Sequence, residues 1–177
     1  MNIQFNRLIR NCIILSSLSL VAAGSAFAQQ SASASADASA TIIQPIAITK
    51  TSNLVFGNYA VGATGGSVSL STADAVTINS GTIAQPAANK GSPAAAVFAV
   101  SGEGSFTYAI TLPSDGTVSL TGAGAAMPVT GFVSSPAATG TLTAGAQNVK
   151  VGATLNVGAA QAPGAYTGAF SVTVAYN

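Results

Sequence analysis

The sequence predicts an all-β protein, a β-sandwich carried behind a cleaved amino-terminal signal. Three observations predict it. Residues 1–28 hold a positive n-region, a short apolar run and an Ala-x-Ala site. The rest of the chain is built of short runs rich in Val, Ile, Thr, Phe and Tyr, with the period-two alternation that a strand requires. Turn residues separate these runs at intervals of roughly 8–12 residues, the spacing of a sandwich.

The signal comes first. Arg7 and Arg10 precede an apolar run from Cys12 to Ala23, and no acidic residue accompanies them. Ala26 and Ala28 then supply the small residues of a cleavage site. The apolar run is shorter than the roughly 20 residues that a membrane-spanning helix needs. It therefore reads as a signal that is cut, not as a retained anchor, and no membrane span remains afterwards. Cys12 begins the apolar run with no cleavage site before it, so it is not a lipid-attachment residue. The expected location is that of a bacterial exported protein: periplasm, cell surface or extracellular space.

Removing the signal removes both arginines and the one cysteine. Lys50, Lys90 and Lys150 remain against Asp37, Asp74, Glu103 and Asp115, a small net negative charge. No basic patch exists to neutralise phosphates, which excludes nucleic acid as a partner. Charged residues make up 5% of the chain, against about 25% in an average domain. The surface is left to Ser, Thr, Asn, Gln, Gly and Ala, and near-neutral surfaces tend to associate. The roughly 150 residues left suffice for one domain with its own core.

Residues 29–40 (QQSASASADASA) form a Ser/Ala-rich leader. Its composition is that of a flexible segment. Its period is that of a strand: Ala32, Ala34, Ala36, Ala38 and Ala40 alternate with polar residues, in phase with Ile42, Ile46 and Ile48. The leader with Ile42 is thus a candidate added strand. The sandwich domain follows at 41–177. Its expected strands are Thr41–Thr49, Leu54–Tyr59, Ser67–Leu70, Ala75–Asn79, Ala95–Ser101, Ser105–Leu112, Thr117–Leu120, Pro128–Ser134, Asn148–Val157 and Tyr166–Tyr176. Gly62 to Gly66, Asn79-Ser80-Gly81, Gly102-Glu103-Gly104, Pro113 to Gly116 and Pro163-Gly164 read as the turns between them. Pro86, Gly91 and Pro93 break the Ala-rich stretch 84–96 as a helix. In the last strand Phe170, Val172, Val174 and Tyr176 share one face, the expected core face, and a one-residue slip would expose all four.

The residues present limit the chemistry. Without His, Cys or Arg after the signal, the usual catalytic triads, zinc sites and arginine clamps have no members. Asp74, Glu103 and Asp115 could form a carboxylate pair or a calcium site only by converging, and each lies beside a turn, where a lone acid is usually solvated. No serine–lysine motif accompanies the lysines, and Gly102-x-Gly104 lacks the third glycine and the helix of a phosphate loop. No cofactor, no metal and no enzymatic activity are expected.

Three stretches carry a family resemblance: TIIQPIAITKTSNLVFGNY at 41–59, SFTYAITL at 105–112, and the ending APGAYTGAFSVTVAYN. Pro45-Ile46, the Leu54-x-Phe56-Gly57 block and the Gly-x-Tyr-Thr-Gly-x-Phe run from Gly164 to Phe170 occur in that order. The chain resembles the bacterial domain of unknown function 4402 family over nearly its whole mature length; that family has no established activity. More distantly it is similar to spore-coat-U-like and archaic chaperone–usher pilin domains. That likeness implies an immunoglobulin-like, pilin-like sandwich that is incomplete. A donor strand from the next subunit completes such a sandwich, and a periplasmic chaperone grips its last strand. The sequence departs from those domains in two ways. They commonly carry a cysteine near the position of Ile46 or Ala47, and their donor strands carry bulky residues where 32–40 offers alanine.

The function expected is therefore that of an exported, non-enzymatic structural or adhesive surface protein, a fimbrial-type fibre subunit in the sharpest form. Its partners would be copies of itself or related surface subunits, and a periplasmic chaperone. The alternative is a self-complete secreted binding module. The two differ in whether the strand 166–176 already has both neighbours within its own chain. A small outer-membrane barrel would need aromatic girdles and strands of about ten residues throughout. The signal is expected to be cut after Ala28. Amino-terminal sequencing of exported protein should begin at Gln29, and an intact Met1 outside the inner membrane would refute the cut.

Overall fold

A computed structural model describes residues 31–177 and divides the chain into two units, Met1–Ala40 and Thr41–Asn177. The expected signal and its cleavage residues Ala26 and Ala28 lie outside the described residues. Residues 31–40 carry no regular secondary structure, and every one of them is exposed. Among the described residues, no helix is long and apolar enough to cross a membrane.

The second unit is built of antiparallel strands: β1 (Ala47–Ser52), β2 (Ala60–Leu70), β3 (Val76–Ala84), β4 (Ala96–Ser101), β5 (Thr107–Thr111), β6 (Val118–Gly122), β7 (Met127–Ser135), β8 (Thr139–Thr141), β9 (Ala146–Val157), β10 (Tyr166–Thr167) and β11 (Thr173–Tyr176). An eight-stranded sheet runs β1-β4-β9-β7-β6-β10, with β2 paired to β9 and β3 outside β2. A three-stranded sheet runs β11-β5-β8. The fold is an all-β sandwich with open sheets, as the alternation predicts.

β9 is the spine of the large sheet. Its first half pairs with β4, its second half pairs with β2, and β7 lies along the opposite edge. Val149, Val151, Ala153, Leu155 and Val157 are buried on one face of it. This row carries two apolar clusters. Val149 and Val151 pack with Phe98, Val100, Tyr108, Ile110, Leu142 and Val172. Ala153, Leu155 and Val157 pack with Phe56, Val68, Leu70, Val118, Met127 and Val129. Each fully buried Val, Leu or Phe contributes about 1.5–3 kcal/mol. Leu54, Phe132 and Phe170 touch both clusters and join them. The small sheet, through Tyr108 and Ile110 of β5, covers the first cluster but not the second.

Several expected elements fall differently. Thr41–Thr49 shortens to a strand that begins at Ala47 and continues to Ser52. Leu54–Tyr59 is not a strand; Val55 alone bridges to Ala94. Gly62 to Gly66 and Asn79-Ser80-Gly81 are not turns. They face each other within the β2–β3 hairpin, where Gly66 pairs with Gly81. Gly81 has φ +81° and sits so close to Gly65 that a Cβ would strike its carbonyl oxygen. The two glycine clusters are needed for this backbone approach, and the real turn is at 71–75, held by Ser71 N–H to the Ala75 carbonyl at 2.9 Å. β8 has three residues, too few for an alternation signal. The expected last strand divides in two. β10 joins β6 in the large sheet, and β11 joins β5 in the small one.

Along that last segment Val172 is buried, Phe170, Val174 and Tyr176 are half-buried against the first cluster, and Ser171, Thr173 and Ala175 are exposed. Val172→Asp would place an unpaired carboxylate in the core, at a cost on the order of 3 kcal/mol. The melting temperature is expected to fall by roughly 10 °C; a variant that melts like the parent would show that the side chain does not support the core.

Candidate functional site

Where the small sheet stops short, the second cluster is left beneath a groove of about 880 Å³. Its floor comes from β6, β7 and β9: Val118, Leu120, Met127, Val129, Leu155 and Val157. Its walls are two segments with little strand structure, 53–61 and 161–170.

The first wall is held from outside. Val55 exchanges two main-chain hydrogen bonds with Ala94, at 2.8 and 2.9 Å. The Asn58 N–H donates to the Lys90 carbonyl at 2.9 Å, and its side-chain amide donates to the Asn89 carbonyl at 2.8 Å. Between them Gly57 takes φ +98°, and a Cβ there would collide with the Lys90 carbonyl. The chain thus presses against the 85–93 loop while Leu54 and Phe56 project into the sandwich, Phe56 being buried. The Tyr59 hydroxyl donates to the Phe56 carbonyl at 2.6 Å, and burial raises its pKa above the usual tyrosine value, which keeps it a donor.

The second wall is anchored at both ends. The Tyr166 hydroxyl donates to the Ala162 carbonyl at 2.7 Å. Phe170 stands edge-on to Phe98, with ring centroids 6.1 Å apart, and tilted against Phe132 at 5.2 Å. Among the described residues, β10 has β6 as its one hydrogen-bonded strand neighbour, and β11 has β5. Among the described residues, 168–172 belong to no strand. Leu54 and Phe56 on the facing wall belong to none either. Main-chain groups outside any strand beside an apolar floor are the features that an added strand uses: hydrogen bonds for grip and pockets for alternate side chains.

The three acids do not converge. Asp74 accepts the Ala95 N–H at 2.7 Å and pairs with Lys150 at 3.2 Å. The Ala95 hydrogen bond, followed by that of Lys150, holds its carboxyl below the usual range. Glu103 accepts the Gln44 N–H at 3.0 Å, while its own N–H donates to the Tyr176 hydroxyl at 2.7 Å. That hydroxyl donates in turn to the Gln44 carbonyl at 2.8 Å. Asp115 accepts the Gly131 N–H at 2.7 Å. Each acid ties down the backbone of another segment. Among the described residues no three His, Cys, Asp or Glu side chains gather as a metal site. Ile42, last of the alternating apolar positions, is 97% exposed.

These features define a class: a two-sheet antiparallel sandwich with a groove over its second apolar cluster. Residues 46–176 match the family described as Domain of unknown function (DUF4402), and the chain belongs to that family. No curated protein and no solved structure compared with the chain matches it. The two walls coincide with the Leu54-x-Phe56-Gly57 block and the Gly164–Phe170 run quoted above. Sequence reasoning singled out both stretches but not the space between them, because nothing local says that two segments 100 residues apart face each other.

Gly57→Ala tests the first wall. The left-handed backbone and the Lys90 carbonyl leave no room for a methyl group, so the variant is expected to lose about 1–3 kcal/mol of stability in a denaturant titration. Parent-like stability would show that the wall is not pinned as described.

Proposed function

We propose that this protein is an exported, non-enzymatic structural or adhesive surface protein that builds assemblies by accepting an extended strand into its groove. The carrying observation is the unfinished edge: among the described residues the segment 166–176 has one hydrogen-bonded strand neighbour at each end, and its middle belongs to no strand. A self-complete binding module would have both neighbours in place. The signal supports export, the low charge supports close packing of copies, and the resemblance to pilin-type domains points the same way. Main-chain groups open beside apolar side chains invite unselective pairing before assembly. A periplasmic chaperone that covers the groove is therefore the partner this reading requires. The three acids serve as backbone staples, which supports a non-enzymatic role.

The test is to fill the groove. Ala169 lines it and is exposed, so Ala169→Trp occupies the space without opening the core. The parent, purified from outside the inner membrane, is expected to form assemblies larger than a monomer in sedimentation velocity. The Trp variant should fold and stay monomeric. A parent that is monomeric at all concentrations, or a Trp variant that assembles equally well, would overturn the reading.

A further inference from the structure

We infer that Tyr176 is a latch: its hydroxyl, seated in a socket at Gly102, holds the segment 41–46 to the sandwich, and displacing the end of β11 releases that segment as one unit. The inference concerns the two ends of the sandwich domain and is independent of the groove and of what it accepts.

Three observations carry it. First, the segment is lightly held. Residues 41–46 belong to no strand, and 41–45 are exposed. Ile46 packs on the first cluster, but Ile42 is 97% exposed and Ile43 38%. Two hydrogen bonds fix the segment, both on Gln44. Its N–H donates to Glu103 Oε2 at 3.0 Å, and its carbonyl accepts the Tyr176 hydroxyl at 2.8 Å.

Second, the socket is shaped for that hydroxyl. Gly102 is buried, and a Cβ there would strike the phenol oxygen and the Leu142 side chain. The same oxygen accepts the Glu103 N–H at 2.7 Å while it donates to Gln44, so one atom joins both segments. The turn that carries Glu103 is itself anchored. The Gly102 N–H donates to the Gly145 carbonyl at 3.0 Å, and the Ser105 N–H donates to the Leu142 carbonyl at 2.7 Å. The Tyr176 ring stands edge-on to Phe106, with centroids 5.6 Å apart.

Third, the strand that keeps the hydroxyl in place is short. β11 has four residues and, among the described residues, one strand neighbour. Asn177 adds two bonds to Thr107, from its N–H to the carbonyl and from its side-chain amide to the hydroxyl. A short strand at a chain end is where a fold opens first. Opening it withdraws the hydroxyl from Gln44 and Glu103 together. The remaining Gln44–Glu103 bond, on an exposed main chain, does not offset the entropy of ordering six residues. The three bonds therefore break as a set, and whatever displaces β11 also mobilises the chain that enters β1.

The experiment follows amide hydrogen exchange by nuclear magnetic resonance in the mature chain from Gln29. Tyr176→Phe keeps the ring against Phe106 and leaves the bond from the Gln44 N–H to Glu103 untouched. Exchange at the Gln44 amide is nevertheless expected to rise at least tenfold, while the amides of β4 and β9 stay protected as in the parent. Glu103→Ala should raise it by a similar factor, and the double variant should go no further than either single one. Asn177→Ala changes an exposed side chain and loosens the end of β11 without touching Gln44, Glu103 or Tyr176; a few-fold rise at Gln44 is expected. A Gln44 amide that exchanges as in the parent in Tyr176→Phe or in Asn177→Ala would overturn the latch. So would a double variant whose effect is the product of the two single ones, since that is the behaviour of independent bonds.

Discussion

β9 presents Val149, Val151, Ala153, Leu155 and Val157 to one face along its whole length, and the rest of the fold is arranged to cover that row. A strand of twelve residues is long for a sandwich of this size. It must be flanked by two strands end to end, β4 and then β2, on a single edge. The facing layer does not match it. β5, β8 and β11 are five, three and four residues long, and together they reach over only the first half of the row. The two clusters and the groove follow from that mismatch in length. Phe170, packed against Phe98 and Phe132, stands where the half covered by the small sheet meets the half that lies under the groove.

How much of this could be read from the residues depends on where each signal lives. Period-two alternation is a local signal, and where it is carried by β-branched and aromatic residues it located β4, β5, β6, β7 and β9 to within a few positions. It failed where glycine was mistaken for a turn. Gly62 to Gly66 and Asn79-Ser80-Gly81 each look like a chain reversal taken alone; facing each other, they are two strands in close approach. It failed again at Leu54–Tyr59, where alternating apolar residues do project inward but Gly57 turns the main chain toward the 85–93 loop instead of a neighbouring strand. The division of the last strand was invisible for a related reason. The side-chain alternation from Phe170 to Tyr176 continues unbroken while the hydrogen-bonding partner changes from β6 to β5. Alternation reports which face a side chain takes and says nothing about which strand lies alongside. The groove was therefore not legible, although both of its walls were.

The sparse charge has a structural consequence besides solubility. Asp74, Glu103 and Asp115 lie on separate turns, and each accepts a backbone N–H from another segment: Ala95, Gln44 and Gly131. A charge-assisted bond to a backbone amide contributes roughly twice what a neutral one does, and it secures turns and strand ends that a short alternating run leaves loose. The Gln44–Glu103–Tyr176 set is the clearest case. It fixes the residues just before β1 to the end of β11 through three hydrogen bonds, so the point at which the chain before β1 departs is set by the last strand.

The balance of terms at the groove decides what kind of contact it can make. Burying a methyl group of alanine contributes about 0.8 kcal/mol, and ordering each backbone residue costs about 1–2 kcal/mol. Alanines alone would not hold an added strand. Each main-chain hydrogen bond adds a net 0.5–1.5 kcal/mol or so, and the run 168–172, which belongs to no strand, can supply some of them. A single buried isoleucine adds about 1.5–3 kcal/mol. For a strand of alanines with a single bulky anchor these gains do not exceed the ordering cost, so a firm grip needs bulky side chains at more of the alternate positions. Bulky residues at every alternate position would instead bind almost irreversibly. The same arithmetic explains why the walls avoid regular strand structure. Had Leu54–Tyr59 or 168–172 paired within the chain, the sandwich would have been closed, and the main-chain groups that supply most of the grip would have been used up.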